Sequence, residues 1–88
     1  MISSEVTIKN RLGLHARPAS KLVHTAASGK SEVFLIKDGQ RVNCRSILGV
    51  MLLAAEYGSA LRIEVNGDDE QEVMTRLTEL VVDKFGED

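Results

Sequence analysis

A histidine and an arginine stand on either side of one alanine in the run Gly13-Leu14-His15-Ala16-Arg17-Pro18-Ala19. A neutral imidazole nitrogen is a nucleophile near physiological pH, and a guanidinium presents a fork of donors that matches phosphate oxygens. Together the two side chains suit phosphoryl transfer onto His15, with Arg17 stabilising the oxygens. The same pair is also compatible with a surface cap residue beside a solvated charge. Residue types alone leave both readings open.

The elements around the pair suggest an anion site without settling between the two readings. Ala19, Leu22, Val23 and Ala26 recur at helical spacing, which predicts a helix of about three turns starting near Ala16. Pro18 fits its first turn, where a missing N–H has no helical partner to lose. Gly13 lets the chain bend sharply on its way in, and Ser28-Gly29 supplies a stop. His15 then falls at the N-cap, with the free N–H groups of Ala16 and Arg17 beside its ring. Unpaired amides and the positive end of the helix dipole favour an anion there, so Ala16 and Arg17 are the candidate phosphate-binding amides.

Val6 and Ile8 alternate with polar neighbours and predict a first strand. Glu32 to Lys37 reads as a second, with Val33 and Leu35 on one side and Phe34 and Ile36 on the other. Asp38-Gly39 is a hairpin turn, returning the chain as a short edge strand over Gln40 to Cys44. Ser46 is an N-cap for a short helix from Ile47 to about Ala55. That helix is apolar nearly all round, and a small domain cannot bury every face of it. Ile47, Leu48 and Met51 are therefore candidates for an exposed docking patch, although a larger core could also absorb them. Leu61, Ile63 and Val65 mark a fourth strand, closed by Asn66-Gly67. Asp69 with Glu72 predicts a capping box for the last helix, whose buried stripe is Val73, Leu77, Leu80, Val81 and Phe85. The order βαββαβα implies an α+β open-faced sandwich, a four-stranded antiparallel sheet with three helices on one face.

Eighty-eight residues suit a single domain spanning 1–88, and 43% hydrophobic residues can fill a core that must be mainly aliphatic, since only 3% are aromatic. A net charge of −2 lacks the basic face that nucleic acid requires. No apolar run is long enough to span a bilayer, and the first residues lack the pattern of a signal peptide. Cys44 is the sole cysteine, which excludes an internal disulfide and makes a reducing cytoplasm the expected location. His24 lies on another side of the first helix from His15, and no third ligand joins them at helical spacing. No metal or cofactor is expected. Nothing in the composition calls for an obligate oligomer, so a monomer is expected.

The run at 13–19 resembles the active-site signature of the HPr family, the histidine-containing phosphocarriers of the sugar phosphotransferase system. The resemblance extends through Lys37-Asp38-Gly39, the segment Asn43-Cys44-Arg45-Ser46-Ile47-Leu48-Gly49-Val50-Met51, and the acidic start of the last helix. It implies that His15 carries a phosphoryl group on its δ nitrogen and that Arg17 stabilises it. It implies enzyme I as donor and the IIA components of sugar permeases as acceptors, so that the chain is a carrier rather than a stand-alone enzyme. Arg45 to Met51 resembles the segment modified by HPr kinase/phosphorylase, which implies Ser46 as a regulatory site and brings that kinase and a transcriptional regulator into view as partners. A nitrogen-responsive or purely regulatory phosphorelay shares the histidine motif and is the alternative function. Leu12 departs from the small polar residue that some relatives carry, which bears on how the loop closes around phosphate.

Overall fold

The computed structural model describes residues 1–87 of the 88. The chain runs β1 (Ile2–Thr7), α1 (Ala16–Ala27), β2 (Glu32–Lys37), β3 (Gln40–Asn43), α2 (Ile47–Leu52), β4 (Ala60–Asn66) and α3 (Glu70–Val82), with a short 3-10 turn over Lys84–Gly86. The strands form one four-stranded sheet in the order β1-β4-β2-β3, and every neighbouring pair is antiparallel. This is the expected βαββαβα open-faced sandwich.

Period-two alternation decides which side of the sheet is covered. Val33 and Leu35 of β2 and Leu61, Ile63 and Val65 of β4 point under the helices and are buried. They meet Ala19, Leu22, Val23 and Ala26 of α1 and Val73, Met74, Leu77 and Val81 of α3 in one aliphatic core. The other face is open. There Phe34 lies under the Arg41 guanidinium, 3.7 Å from the ring centroid, and Arg41 also pairs with Glu64 at 3.2 Å.

Three local details differ from expectation, each for a tertiary reason. Helix α2 stops at Leu52 instead of continuing to about Ala55. Ala54 takes a left-handed conformation (φ 52°), and the turn it makes delivers the Ala55 carbonyl to the Leu14 amide at 2.9 Å. The Asp69–Glu72 capping box does not form. Asp69 makes no cap bond; its carboxylate accepts from the Lys30 amide (2.9 Å) and the Ser31 hydroxyl (2.5 Å) at the start of β2. The reciprocal pair lies two residues earlier, where the Gly67 amide donates to Glu70 Oε1 at 3.2 Å and the Glu70 amide to the Gly67 carbonyl at 3.3 Å. Phe85 is fully buried as expected, but it reaches the core from the turn after α3 rather than from the helix itself.

Candidate functional site

The loop before α1 is built to deliver one residue. Asn10 is fully buried; its side-chain amide donates to the Gly13 carbonyl at 2.7 Å, and its own carbonyl accepts from the Gly13 amide at 3.2 Å. Gly13 has φ 68°, and a Cβ placed on it would lie 2.5 Å from the Ala55 carbonyl oxygen. Only glycine fits there without displacing backbone. Leu14 follows as a buried anchor, pinned by its amide to Ala55. Leu12 points outward, 72% exposed.

His15 emerges from this anchor at the N-cap of α1, with extended backbone (φ −77°, ψ −173°). Its carbonyl accepts the Ala19 amide at 3.0 Å, closing the first helical turn. The amides of Ala16 and Arg17 precede that bond and have no acceptor within the helix. The His15 ring makes no cap bond to them. Its side chain is 36% exposed, and its Nε2 faces the Glu87 carboxylate, 3.1 Å from one oxygen and 3.0 Å from the other. Arg17 is exposed on the first turn of α1.

Glu87 was invisible in the linear sequence, where an acidic residue at the far end of the chain looks like a solvated tail. Its partner lies 72 positions away. Asn10 was missed for a related reason, since a loop asparagine declares its role only once its burial is known.

Ser46 is exposed at the N-cap of α2, and its Oγ accepts the Gly49 amide at 2.9 Å. Beyond it the helix shows Leu48 (66% exposed) and Leu52 (69%), with Ile47 and Met51 less so, and buries only Val50. Leu52 extends the apolar cluster expected from sequence. Helix α2 rests against α1 and β3. His24 is exposed in the last turn of α1, at the opposite end from His15. There it borders a groove of about 610 Å³ with Arg76, Glu79 and Asp83. Among the described residues no cluster of three potential metal ligands occurs, and no helix is long and apolar enough to cross a membrane. Cys44 is buried, and burial pushes its thiol up to about 12, far from the reactive range.

Residues 2–83 match the family described as the PTS HPr component phosphorylation site. The chain is similar to the phosphocarrier protein HPr of Xylella fastidiosa, with 46% identity over 88 residues, covering 100% of this chain and 99% of the relative. It is also similar to the HPr-like protein Crh of Bacillus subtilis, with 41% identity over 81 residues, covering 92% and 95% of the two chains. A crystal structure of HPr-C-His from Thermoanaerobacter tengcongensis superposes with a TM-score of 0.95 at 41% identity, covering 100% of this chain and 99% of that one. A structure of an HPr dimer from the same organism gives 0.79 at 41% identity, covering 99% and 100%.

Proposed function

Because the chain belongs to the HPr family, the phosphocarriers of the phosphotransferase system, we propose that His15 accepts a phosphoryl group from enzyme I and passes it to a IIA component of a sugar permease. The observation that carries this reading is the placing of a half-exposed imidazole at a helix N-cap, beside two amides with no helical acceptor. In the charged state the Ala16 and Arg17 amides and the Arg17 guanidinium hold the phosphoryl oxygens, and the helix terminus favours the added charge by about 0.3–2 kcal/mol. No further machinery is needed, because phosphoryl transfer depends mainly on position and charge. The site is open, so donor and acceptor proteins can each reach the same atom in turn.

Radiolabel from phosphoenolpyruvate, passed through purified enzyme I, tests the assignment. Wild type takes up one label per chain, and His15→Ala takes up none. Label persisting in that variant refutes it.

Ser46 is the regulatory site in this reading. Its hydroxyl is exposed and already at a helix N-terminus, where a phosphate is electrostatically welcome. Phosphorylation there adds about −1.5 to −2 charge at the edge of the Leu48–Leu52 patch, which we take as the docking surface together with Ile47 and Met51. HPr kinase/phosphorylase is the corresponding modifier. Incubation with that kinase and ATP, followed by mass mapping, places the phosphate on Ser46 or rejects the site.

A second reading follows from the similarity to Crh. On that reading the same two sites serve a regulatory relay, of catabolite or nitrogen type, in which phosphorylated forms bind a transcriptional regulator and no sugar moves. Transfer of label onward from His15 to a IIA component separates the two. The dimer solved for a relative also weakens the expectation of a monomer.

A further inference from the structure

The chain makes an unusual effort to bring Glu87 to His15. After α3, three successive residues, Lys84 (φ 56°), Phe85 (φ 56°) and Gly86 (φ 73°), are left-handed. For a lysine and an aromatic residue that conformation is unfavourable and has to be held by its surroundings. It is held at two points. The Phe85 ring is fully buried, and Lys21 of α1 reaches across to the Phe85 carbonyl at 2.5 Å. The Gly86 and Glu87 amides close the turn on the carbonyls of Asp83 and Lys84, each at 3.0 Å. The result is a Glu87 carboxylate, only 17% exposed, with both oxygens on one ring nitrogen of His15.

We propose that Glu87 is a positioning residue that directs the phosphoryl group to Nδ1 of His15 and steadies the ring as it becomes charged. The proposal rests on His15 being the phosphoryl acceptor. An ionised carboxylate can only accept hydrogen bonds, and a neutral imidazole carries one N–H. Facing Glu87, that hydrogen sits on Nε2, which leaves the lone pair on Nδ1. The same carboxylate covers Nε2 and repels an incoming dianionic phosphoryl group there. Regiochemistry is thus fixed twice, by where the lone pair lies and by what blocks the other nitrogen.

The transfer step gives Glu87 a further part. The Nδ1 lone pair forms the new N–P bond while the donor's N–P bond breaks, its electron pair returning to the donor nitrogen. No proton moves, because the His15 hydrogen stays on Nε2. The ring therefore gains positive charge as the phosphoryl group arrives, and the carboxylate already in place stabilises it. When an acceptor attacks phosphorus, the electron pair returns to Nδ1 and the ring is neutral again.

Glu87→Ala and Glu87→Gln in the full chain test this, with folding checked by thermal melting and the His15 ring read by ¹⁵N NMR. Each protein is phosphorylated in two ways, by enzyme I with phosphoenolpyruvate and by phosphoramidate, a chemical donor that needs no partner. ³¹P NMR then distinguishes the two phosphohistidine isomers. Wild type shows hydrogen on Nε2 and phosphate on Nδ1. In Glu87→Ala the Nδ1–H tautomer appears, phosphoramidate labels Nε2 as well, and transfer from enzyme I slows by about tenfold, the scale of one lost charge-assisted hydrogen bond. Glu87→Gln can still accept from Nε2, so it keeps the tautomer but loses the charge and slows transfer. A Glu87→Ala protein that is folded, keeps the wild-type tautomer and labels Nδ1 alone overturns the proposal. Failure of enzyme I to label wild type, with the isomer shift under phosphoramidate intact, overturns the carrier reading and leaves the role of Glu87 standing.

Discussion

At the scale of single residues, two positions show how much the site asks of one atom. Gly13 and Gly39 both have positive φ, 68° and 81°, but only at Gly13 would a Cβ strike backbone, while at Gly39 nothing lies within 4 Å. Substituting alanine at each therefore separates conformational strain from close approach. Both variants should lose stability, Gly39→Ala by about 1 kcal/mol and Gly13→Ala by about 2–3 kcal/mol in urea titrations. Only Gly13→Ala should move the NMR signals of the His15 ring, because it displaces the Ala55–Leu14 anchor. Cys44 gives a prediction in pH. Its thiol ionises near 9.0 when solvated and about 12 when folded. Between those values the unfolded chain has released a proton that the folded chain retains, so stability present below the lower value is lost as pH rises. Linkage sets the slope at no more than about 1.4 kcal/mol per pH unit. Denaturation midpoints followed from pH 8 to 11 should fall less steeply in Cys44→Ala than in wild type (the range is about that of the two ionisations).

At the scale of elements, what could be read in advance was whatever lies within one element. Helix α1 was legible from Ala19, Leu22, Val23 and Ala26 because burial imposes helical spacing on neighbours in sequence. The strands were legible from alternation, and the placing of His15 at the N-cap of α1 from the helical spacing that follows it. Misreadings came where a side chain chose a distant partner. Asp69 looked like the cap of its own helix, yet it serves Lys30 and Ser31, 39 and 38 positions away. Helix α2 looked long enough to reach Ala55, but Leu14 claims the Ala55 carbonyl. The Asp69 contact has its own consequence. The Ser31 hydroxyl, and after it the Lys30 amide, hold the Asp69 carboxyl below its usual range. A depressed folded value contributes stability above the unfolded value and loses it as pH falls through the folded one. Wild type should therefore weaken on acidification below about pH 4. Asp69→Asn should show a shallower acid limb than wild type in denaturant titrations.

At the scale of the whole molecule, α2 packs against α1, so the Ser46 cap and the exposed leucines belong to the same helical layer as His15. If that layer is the docking surface, function and stability should come apart there. Leu48 is 66% exposed, so Leu48→Ala should change folding stability by no more than about 0.5 kcal/mol. Truncating a central apolar anchor of an interface costs more than about 1 kcal/mol of binding, so with Leu48 in that position the KM of enzyme I for this carrier should rise by about fivefold or more. Ser46→Asp applies the same logic to charge. Aspartate caps a helix about as well as serine, so the Gly49 amide keeps an acceptor and the melting temperature should hardly move. The added negative charge nevertheless borders the patch, and transfer from enzyme I should slow, more at low salt than at high, because screening shortens its reach. Rates measured across a salt series decide between the two ways the variant could fail. A loss that fades with salt assigns Ser46 to long-range control of docking, and an equal loss at every salt concentration shows that the helix cap itself shapes the surface.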